Sequence, residues 1–215
     1  RLAYTLNKEI FALASHFIDI HTGEPHYYKL PQVYVNGNNS AALAMAKAFN
    51  PPIILKAKQP KGLLWKLEEE PDKQVLVYEA GEALRLEKNA IRFGVNGIIK
   101  VMQMLNMLKS PVKPGKSFQS LAVPTAFWQR SPVSGLNKLL KTAGAYVKKN
   151  ELLAIISDPF GSQQTYNVTA PFEGIIICHN NFPLVNEGDP IIEIAPVAKD
   201  ITLQEQWLSP EKLEI

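Results

Sequence analysis

Two short apolar runs in the first half of the chain, residues 17–20 and 74–78, each end in a cluster of polar side chains. Short apolar runs bounded by turn-forming residues are typical of buried β-strands. Helical patterns alternate with these runs: residues 2–17 and 87–108 carry apolar side chains at spacings of three and four, and residues 41–48 follow a group of helix-capping residues. This alternation predicts a layered α/β fold for the first half of the chain.

The sequence changes character near residue 110. Residues 110–115 are rich in Pro and Gly and predict a linker, and short β-rich runs separated by turns follow. Residues 142–156 and 182–194 each place an apolar residue and a polar turn before an alternating strand, which predicts a small β-sandwich with internal pseudo-symmetry. The predicted parts are an α/β domain over residues 1–110, a β-rich domain over 111–198 and a tail over 199–215.

Composition and charge exclude several classes of function. Hydrophobic residues make up 46% of the chain and charged residues 20%, as in ordinary globular proteins. The net charge of +3 is scattered, without the basic run that nucleic acid or a membrane surface would attract. No apolar stretch reaches the roughly 18 residues that span a bilayer, and the single cysteine, Cys178, lies in an apolar run that predicts a buried thiol in a reducing compartment. We expect a cytoplasmic protein that binds neither nucleic acid nor membrane, and the sequence leaves open whether it forms a homo-oligomer.

Two groups of polar residues can support chemistry. Asp19 and His21 lie two apart on a predicted strand, so they share a face, and the carboxylate can orient the imidazole of a metal ligand. Alone, this pair is more often a surface histidine beside an acid. Glu79 and Glu82 flank Gly81 at the end of the second strand, where a carboxylate can act as a general base. An ion pair and a helix cap are the alternatives for these two glutamates.

The order of these motifs resembles one enzyme family. Asp-Ile-His-Thr-Gly at positions 19–23 precedes Tyr-Glu-Ala-Gly-Glu at 78–82. The long predicted helix that follows contains Arg-Phe-Gly-Val-Asn-Gly, starting at Arg92. These motifs, together with the β-rich segments at residues 147–161 and 170–176, resemble the succinylglutamate desuccinylase/aspartoacylase family, whose members are relatives of the zinc carboxypeptidases. The resemblance covers about residues 1–197. It implies part of a zinc-carboxypeptidase-like three-layer α/β domain followed by a small all-β sandwich or barrel domain.

The resemblance also implies a reaction and its residues. His21 corresponds to the family's third zinc ligand, with Asp19 orienting its ring, and Glu79 corresponds to the catalytic carboxylate that deprotonates water and protonates the leaving amine. The implied cofactor is Zn²⁺, one per chain in the complete protein. The implied substrate is a small N-acyl amino acid or related acyl compound, cleaved at an amide or ester bond.

Part of the family's pattern has no counterpart in this sequence. The first two zinc ligands of the family lie in an upstream segment that is absent here, and catalytic zinc usually takes three protein ligands. Because Arg1 already lies within a helical pattern, we predict a missing upstream segment and an inactive chain when it stands alone. A non-catalytic relative without metal, or a β-rich binding or oligomerisation module, is the alternative. Carrier function is disfavoured because the turn at residues 157–164 has no lysine.

Three further side chains are candidate substrate contacts. Arg85 and Arg92 can bind a substrate carboxylate through two parallel hydrogen bonds, although arginines near a helix are more often solvated. His26 lies near the proposed site, within residues 25–37, for which we predict irregular structure. His179 follows Cys178, but adjacent strand residues face opposite sides, which disfavours a Cys-His site.

Overall fold

The computed structural model describes residues 2–56, 67, 70, 72–109, 119–161 and 164–197. The predicted linker at residues 110–115 and the predicted tail at 199–215 lie outside these residues. The helices are α1 (Leu2–Leu6), α2 (Ser40–Phe49) and α3 (Lys88–Met104), with a π-helical turn at Asn7–Phe11. The strands are β1 (His16–His21), β2 (Tyr27–Tyr34), β3 (Ile53–Leu55), β4 (Gln74–Gly81), β5 (Leu121–Val123), β6 (Phe127–Arg130), β7 (Gly135–Leu139), β8 (Tyr146–Val147), β9 (Leu152–Ser157), β10 (Thr165–Thr169), β11 (Gly174–Asn180), β12 (Leu184–Val185) and β13 (Pro190–Pro196).

Two β-sheets organise the described residues. Nine strands form a mixed sheet with the order β1-β4-β2-β11-β13-β6, in which β3 also pairs with β2 and β5, and β8 with β11. The other sheet has the order β10-β9-β7-β12. Cys178 of β11 pairs with Lys29 of β2, so the larger sheet contains strands from both sides of the predicted boundary at residue 110. The mixed α/β class is confirmed, whereas the domain boundaries and a separate all-β domain stay predictions.

Helices α2 and α3 pack closely over the core. Asn39 Oδ1 accepts hydrogen bonds from the N–H groups of Ala41 and Ala42, so α2 begins at a side-chain cap, as its sequence predicts. The Phe49 ring, 1% exposed, lies 5.1 Å from the Tyr78 ring. A β-carbon placed on Gly97 of α3 would come within 2.3 Å of the Phe49 ring. The close approach of the two helices therefore requires glycine at position 97.

The amphipathic pattern of residues 2–17 does not form one helix. Helical structure ends at Phe11, and Phe17 belongs to β1, which pairs in parallel with β4 from His16↔Gln74 to His21↔Glu79. The apolar side chains of Leu2 and Leu13 are 74% and 85% exposed. Pairing with β4 therefore prevails over the local helical periodicity at the end of this segment.

The prediction of irregular structure for residues 25–37 was wrong. The segment contains β2, which pairs with β4 on one side and with β11 and β3 on the other. Pro31 argues against a central strand because proline cannot donate to a ladder, and the register shifts between Lys29 and Gln32 where this proline lies. Gln32, at 0% exposure, further disguised the strand because polar residues are rarely fully buried.

The described helices include none that is long and apolar enough to cross a membrane. The buried position predicted for Cys178 is confirmed: its side chain is 0% exposed, and burial is the main cause that raises the pKa of its thiol.

Candidate active site

His21 and Glu79 lie opposite each other near the ends of two neighbouring parallel strands. In the register of β1 and β4, His21 pairs with Glu79, and Asp19 pairs with Val77. Paired residues on adjacent strands share a face of the sheet, and the two-residue alternation places Asp19 on that face as well. The structure thus brings together the two motifs that the sequence analysis singled out.

Asp19 contacts the imidazole of His21 directly. Asp19 Oδ2 lies 3.0 Å from His21 Nε2, and the two side chains are 30% and 49% exposed. A carboxylate on one ring nitrogen fixes the orientation of the ring and leaves the other nitrogen for a metal or a proton. In this arrangement Nδ1 is the nitrogen of His21 that can serve as a ligand.

Glu79 is held in a buried ion pair that the sequence analysis did not predict. Lys29 Nζ lies 2.5 Å from Glu79 Oε2, and the two side chains are 17% and 13% exposed. The hydroxyl of Tyr34 accepts hydrogen bonds from Gln32 Nε2 at 3.1 Å and from Lys29 Nζ at 3.5 Å. Burial above all, together with the charge of Glu79, raises the pKa of Tyr34. The Glu79 carboxylate is therefore held by an ion pair from β2.

Glu82 has a different set of partners. It is 5% exposed and accepts hydrogen bonds from the backbone N–H of His26 at 3.3 Å and from Asn181 Nδ2 at 3.0 Å, and Arg85 Nε lies 3.3 Å away. Burial by itself would raise the pKa of Glu82, but these donors hold it below its ordinary value. The Glu82 carboxylate is thus engaged by three donors that join it to the loops around it. Of the two glutamates that flank Gly81, we retain Glu79 as the candidate base because it lies opposite His21 in the register of β1 and β4.

Two cavities adjoin these strand ends. His21 and Arg85 help to line a cavity of about 310 Å³, whose walls are otherwise mostly apolar side chains such as those of Ile20, Ile91 and Val95. Arg85, Glu82 and Glu87 also line a second cavity of about 480 Å³. Thr142, His179 and Asn181, all from the second half of the chain, complete the walls of this second cavity.

The structure separates the three candidate substrate contacts. Arg85 lines both cavities, one of which it shares with His21. His26 lies in the turn before β2 with φ of 70°, and its ring is 4.7 Å from that of Phe182. Arg92 lies on α3. His26 and Arg92 are not among the residues that line the two cavities, and neither are Asp19 and Glu79.

One imidazole fits part of a zinc site. Among the described residues, no group of three or more His, Cys, Asp or Glu side chains is arranged to hold a metal ion. His21, with Asp19 on its Nε2, has the donor chemistry of a single ligand, whereas catalytic zinc usually takes three protein ligands. The other ligands would have to come from outside the described residues.

Sequence reasoning missed several polar residues around the site. Lys29 lies in a segment not predicted to be a strand, and Glu193 and Asn181 lie more than 100 residues after Glu79 in the sequence. His179 accepts a hydrogen bond from the N–H of Ala143 at 3.0 Å and packs on Tyr28 at 5.4 Å between rings. The one available signal was the placement of Lys29 and Gln32 between apolar residues, which is unusual for a loop.

Comparison with known proteins gives one family. Residues 1–105 match the sequence model of the succinylglutamate desuccinylase/aspartoacylase catalytic domain. No curated protein sequence matches the chain.

Solved structures share the fold at low sequence identity. The product-bound ectoine utilization protein EutE (DoeB) from Ruegeria pomeroyi matches with a TM-score of 0.77 and 19% identity over 91% of this chain and 62% of that one. A succinylglutamate desuccinylase/aspartoacylase from Rhodobacter sphaeroides matches with a TM-score of 0.74 and 19% identity over 90% of this chain and 62% of that one. A succinylglutamate desuccinylase from Silicibacter sp. TM1040 matches with a TM-score of 0.78 and 18% identity over 92% of this chain and 62% of that one.

The chain spans about 62% of the length of these three structures, and at these identities the likeness concerns the fold. The sequence match over residues 1–105 and the family membership of structural neighbours agree with the resemblance drawn from the motifs around His21 and Glu79. Residues 1–105 are thus similar in sequence to the catalytic domain of the succinylglutamate desuccinylase/aspartoacylase family, and the described residues share the fold of solved structures that carry that family's name.

Proposed function

We propose that this chain forms part of a zinc-dependent deacylase that hydrolyses the amide or ester bond of a small N-acyl amino acid or related acyl compound. The observation that carries the proposal is the register of β1 and β4, which places His21 directly opposite Glu79 on one face of the sheet. The match of residues 1–105 to the sequence model of the succinylglutamate desuccinylase/aspartoacylase catalytic domain supports hydrolysis of acyl compounds. A candidate metal ligand and a candidate proton acceptor on adjacent strands are the minimum that such a hydrolase requires from this part of the fold.

His21 would hold the metal through Nδ1, because Asp19 engages Nε2. The Asp19 carboxylate would keep the ring in the orientation that a ligand needs, as carboxylates behind metal-binding histidines generally do. Zinc, when bound in such a site, polarises an acyl carbonyl and makes water a better nucleophile. The remaining zinc ligands would come from outside the described residues.

Glu79 would move the proton. As a general base it would accept a proton from the attacking water, and as a general acid it would return that proton to the leaving nitrogen. A group that works in both directions must stay close to the reacting atoms throughout. Its ion pair with Lys29 restrains the position of the carboxylate.

Arg85 is the cation that we propose for substrate binding. Its guanidinium is 64% exposed, with Nε toward Glu82, and the residue lines the cavity that His21 also lines. A guanidinium that uses Nε for one carboxylate still has two NH₂ groups for another. His26 and Arg92 stay weaker candidates, because neither lies in the walls of that cavity.

One observation favours a second candidate function. Glu79 forms a buried ion pair with Lys29. This pairing also suits a non-catalytic relative that keeps the fold without metal. Such a protein would use the cavities or the second half of the chain for binding or oligomerisation.

Metal content and hydrolysis separate the two functions. Zinc would be measured by elemental analysis in the polypeptide purified from its native source, alongside His21→Ala and Glu79→Gln. His16→Ala and Glu24→Gln are matched controls, because His16 lies at the other end of β1 and Glu24 is exposed.

The deacylase proposal predicts about one zinc per chain that His21→Ala loses and Glu79→Gln retains. Hydrolysis across a panel of N-acyl amino acids should fall in both variants and persist in both controls. A native polypeptide without zinc, or zinc retained in full by His21→Ala, would favour the non-catalytic relative.

A further inference from the structure

A second buried carboxylate faces the Lys29–Glu79 ion pair. Lys29 pairs with Cys178 across β2 and β11, and Cys178 pairs with Glu193 across β11 and β13. Paired residues on adjacent strands share a face, so Lys29 and Glu193 point to the same side of the sheet. Glu79 supplies the opposite neighbour of Lys29, on β4. Lys29 thus contacts Glu79 directly on the side of β4, and Glu193 acts on its ammonium through charge from the side of β11 and β13.

Glu193 is buried without a protein partner for one oxygen. It is 9% exposed, and its Oε2 has no hydrogen-bond partner among the described residues. Burial raises the pKa of Glu193 to about 7, with Lys29 lowering it and Glu79 raising it further. Burial lowers the pKa of Lys29, but the charges of Glu79 and Glu193 and the hydrogen bond to Glu79 together leave it above its ordinary value. The three groups therefore interact electrostatically.

A buried ion pair of this kind needs a reason beyond stability. Removing two charges from water is costly, and replacing a buried pair with apolar groups of similar size is often neutral or stabilising. A buried pair does, however, fix geometry, because the ionic groups have few alternative partners in the interior. Lys29 has two acceptors in Glu79 Oε2 at 2.5 Å and the Tyr34 hydroxyl at 3.5 Å. The contact with Glu79 joins its ammonium to the end of β4 that carries the candidate base.

We propose that Lys29 is a positioning residue for Glu79: its ammonium fixes the Glu79 carboxylate on the face that carries His21, and Glu193 holds that ammonium from the other side. The proposal rests on the proposed function for the role of Glu79. It also assigns a task to the second half of the chain, since Glu193 lies on β13. The candidate site would then depend on a residue outside the 1–105 segment that matches the family.

The shared ammonium can be tested without any activity. Lysine ammonium groups that are buried and hydrogen bonded exchange protons slowly enough to appear in ¹⁵N–¹H correlation spectra, whereas solvated ones do not. We expect a Lys29 signal, assigned by its loss in Lys29→Met, that moves in both Glu79→Gln and Glu193→Gln. Glu151→Gln is the matched control, because Glu151 pairs with the half-exposed Lys141. A missing Lys29 signal, or one that neither glutamine variant moves, would overturn the proposal.

Kinetics tests the positioning role. Lys29→Met should lower kcat by about 10- to 100-fold, because small displacements of a catalytic group cost rate at this scale, while KM changes by less than about threefold. Lys29→Arg should recover at least part of kcat, and Glu193→Gln should lower it less than Lys29→Met does. Lys141→Met is the control and should leave kcat unchanged. Thermal unfolding of each variant establishes that it is folded.

The outcomes distinguish this proposal from the proposed function. If the wild-type polypeptide hydrolyses acyl compounds and Lys29→Met keeps its kcat, the positioning role is wrong and the deacylase stands. If the wild type hydrolyses none of them, the deacylase fails and the positioning role fails with it. The ammonium spectra would still show whether Lys29 is shared between Glu79 and Glu193.

Discussion

Asn181 donates a hydrogen bond from Nδ2 to Glu82 Oε2 at 3.0 Å, across 99 positions of sequence. The backbone strengthens this link, because the N–H of Asn181 donates to the carbonyl of His26 at 2.6 Å. His26 in turn donates its own N–H to Glu82 Oε1. Three loops, which follow β1, β4 and β11, are therefore joined at one buried carboxylate beside the candidate active site.

Replacing Asn181 should loosen this junction. Asn181→Ala removes a donor from a buried carboxylate, and we expect a loss of about 1 kcal/mol in the free energy of unfolding, at the lower end for hydrogen bonds to charged groups because Asn181 itself is exposed. Urea unfolding measures the loss, and hydrogen exchange should show faster exchange at residues 22–26 and 82–87. Asn167→Ala, at an exposed position of β10, should change neither quantity. Unaltered exchange in both loops of Asn181→Ala would contradict a structural role for this bond.

Glu193→Gln should stabilise the protein at alkaline pH. Burial in the folded state raises the pKa of Glu193 to about 7. Between pH 4.5 and 7 the Glu193 carboxyl group of the folded protein therefore keeps a proton that the same group releases in the unfolded chain. The wild type then loses stability as pH rises through this window, by up to about 1.4 kcal/mol per pH unit. Glutamine does not ionise, so Glu193→Gln avoids the free-energy cost of a buried charge at this position. The free energy of unfolding of the variant should equal that of the wild type near pH 4.5 and exceed it by a few kcal/mol at pH 8.

Urea unfolding of both proteins from pH 4.5 to 8 measures this difference. The exposed Glu187, changed to Gln, is the control and should give a difference that does not vary with pH. A constant difference between wild type and Glu193→Gln would show that Glu193 titrates normally.

Gly97→Ala should destabilise the packing of α2 against α3. The new β-carbon would lie 2.3 Å from the Phe49 ring, which is 1% exposed and cannot move into solvent. Overpacking of this kind costs about 1 to 3 kcal/mol, and the gain of up to about 1 kcal/mol from replacing glycine in a helix offsets only part of it. Asn96→Ala in the same helix changes propensity without this overlap. Thermal unfolding should give a lower Tm for Gly97→Ala than for both wild type and Asn96→Ala.

Lys73→Met should release the segment that precedes β1. Lys73 Nζ donates to the carbonyl oxygens of Phe11 at 2.8 Å and Ala14 at 2.6 Å, and Lys73 is 5% exposed. Without this ammonium the carbonyl groups lose their donor, at a cost of about 1 to 3 kcal/mol. Limited proteolysis should cut residues 8–15 faster in Lys73→Met, whereas Lys138→Met, at an exposed position of β7, should be cut at the wild-type rate. Equal rates for all three proteins would show that other contacts hold the segment.

Local patterns in the sequence determined several elements and the two motifs. Asn39 caps α2 as predicted because an N-cap needs only a side chain and the backbone two or three residues away. The apolar runs at residues 17–20 and 74–78 lie within β1 and β4, since short runs rich in β-branched and aromatic residues favour strands. The positions of His21 and Glu79 after these runs predicted that they lie at one edge of the sheet.

Tertiary structure alone decided which groups surround these two residues. Lys29 reaches Glu79 because β2 lies between β4 and β11, and the polar residues and proline of β2 concealed a central strand. Asn181 reaches Glu82 through a hydrogen bond across 99 positions, and Glu193 shares a face with Lys29 because β11 pairs with β2, where Cys178 lies 149 positions (178 − 29) after its partner. No local pattern reports such contacts. The sequence by itself determined that the segments of β1 and β4 form strands and that the candidate ligand and base lie at their ends. Only the folded chain decided the partners of each buried charge, because those partners come from segments that are distant in sequence.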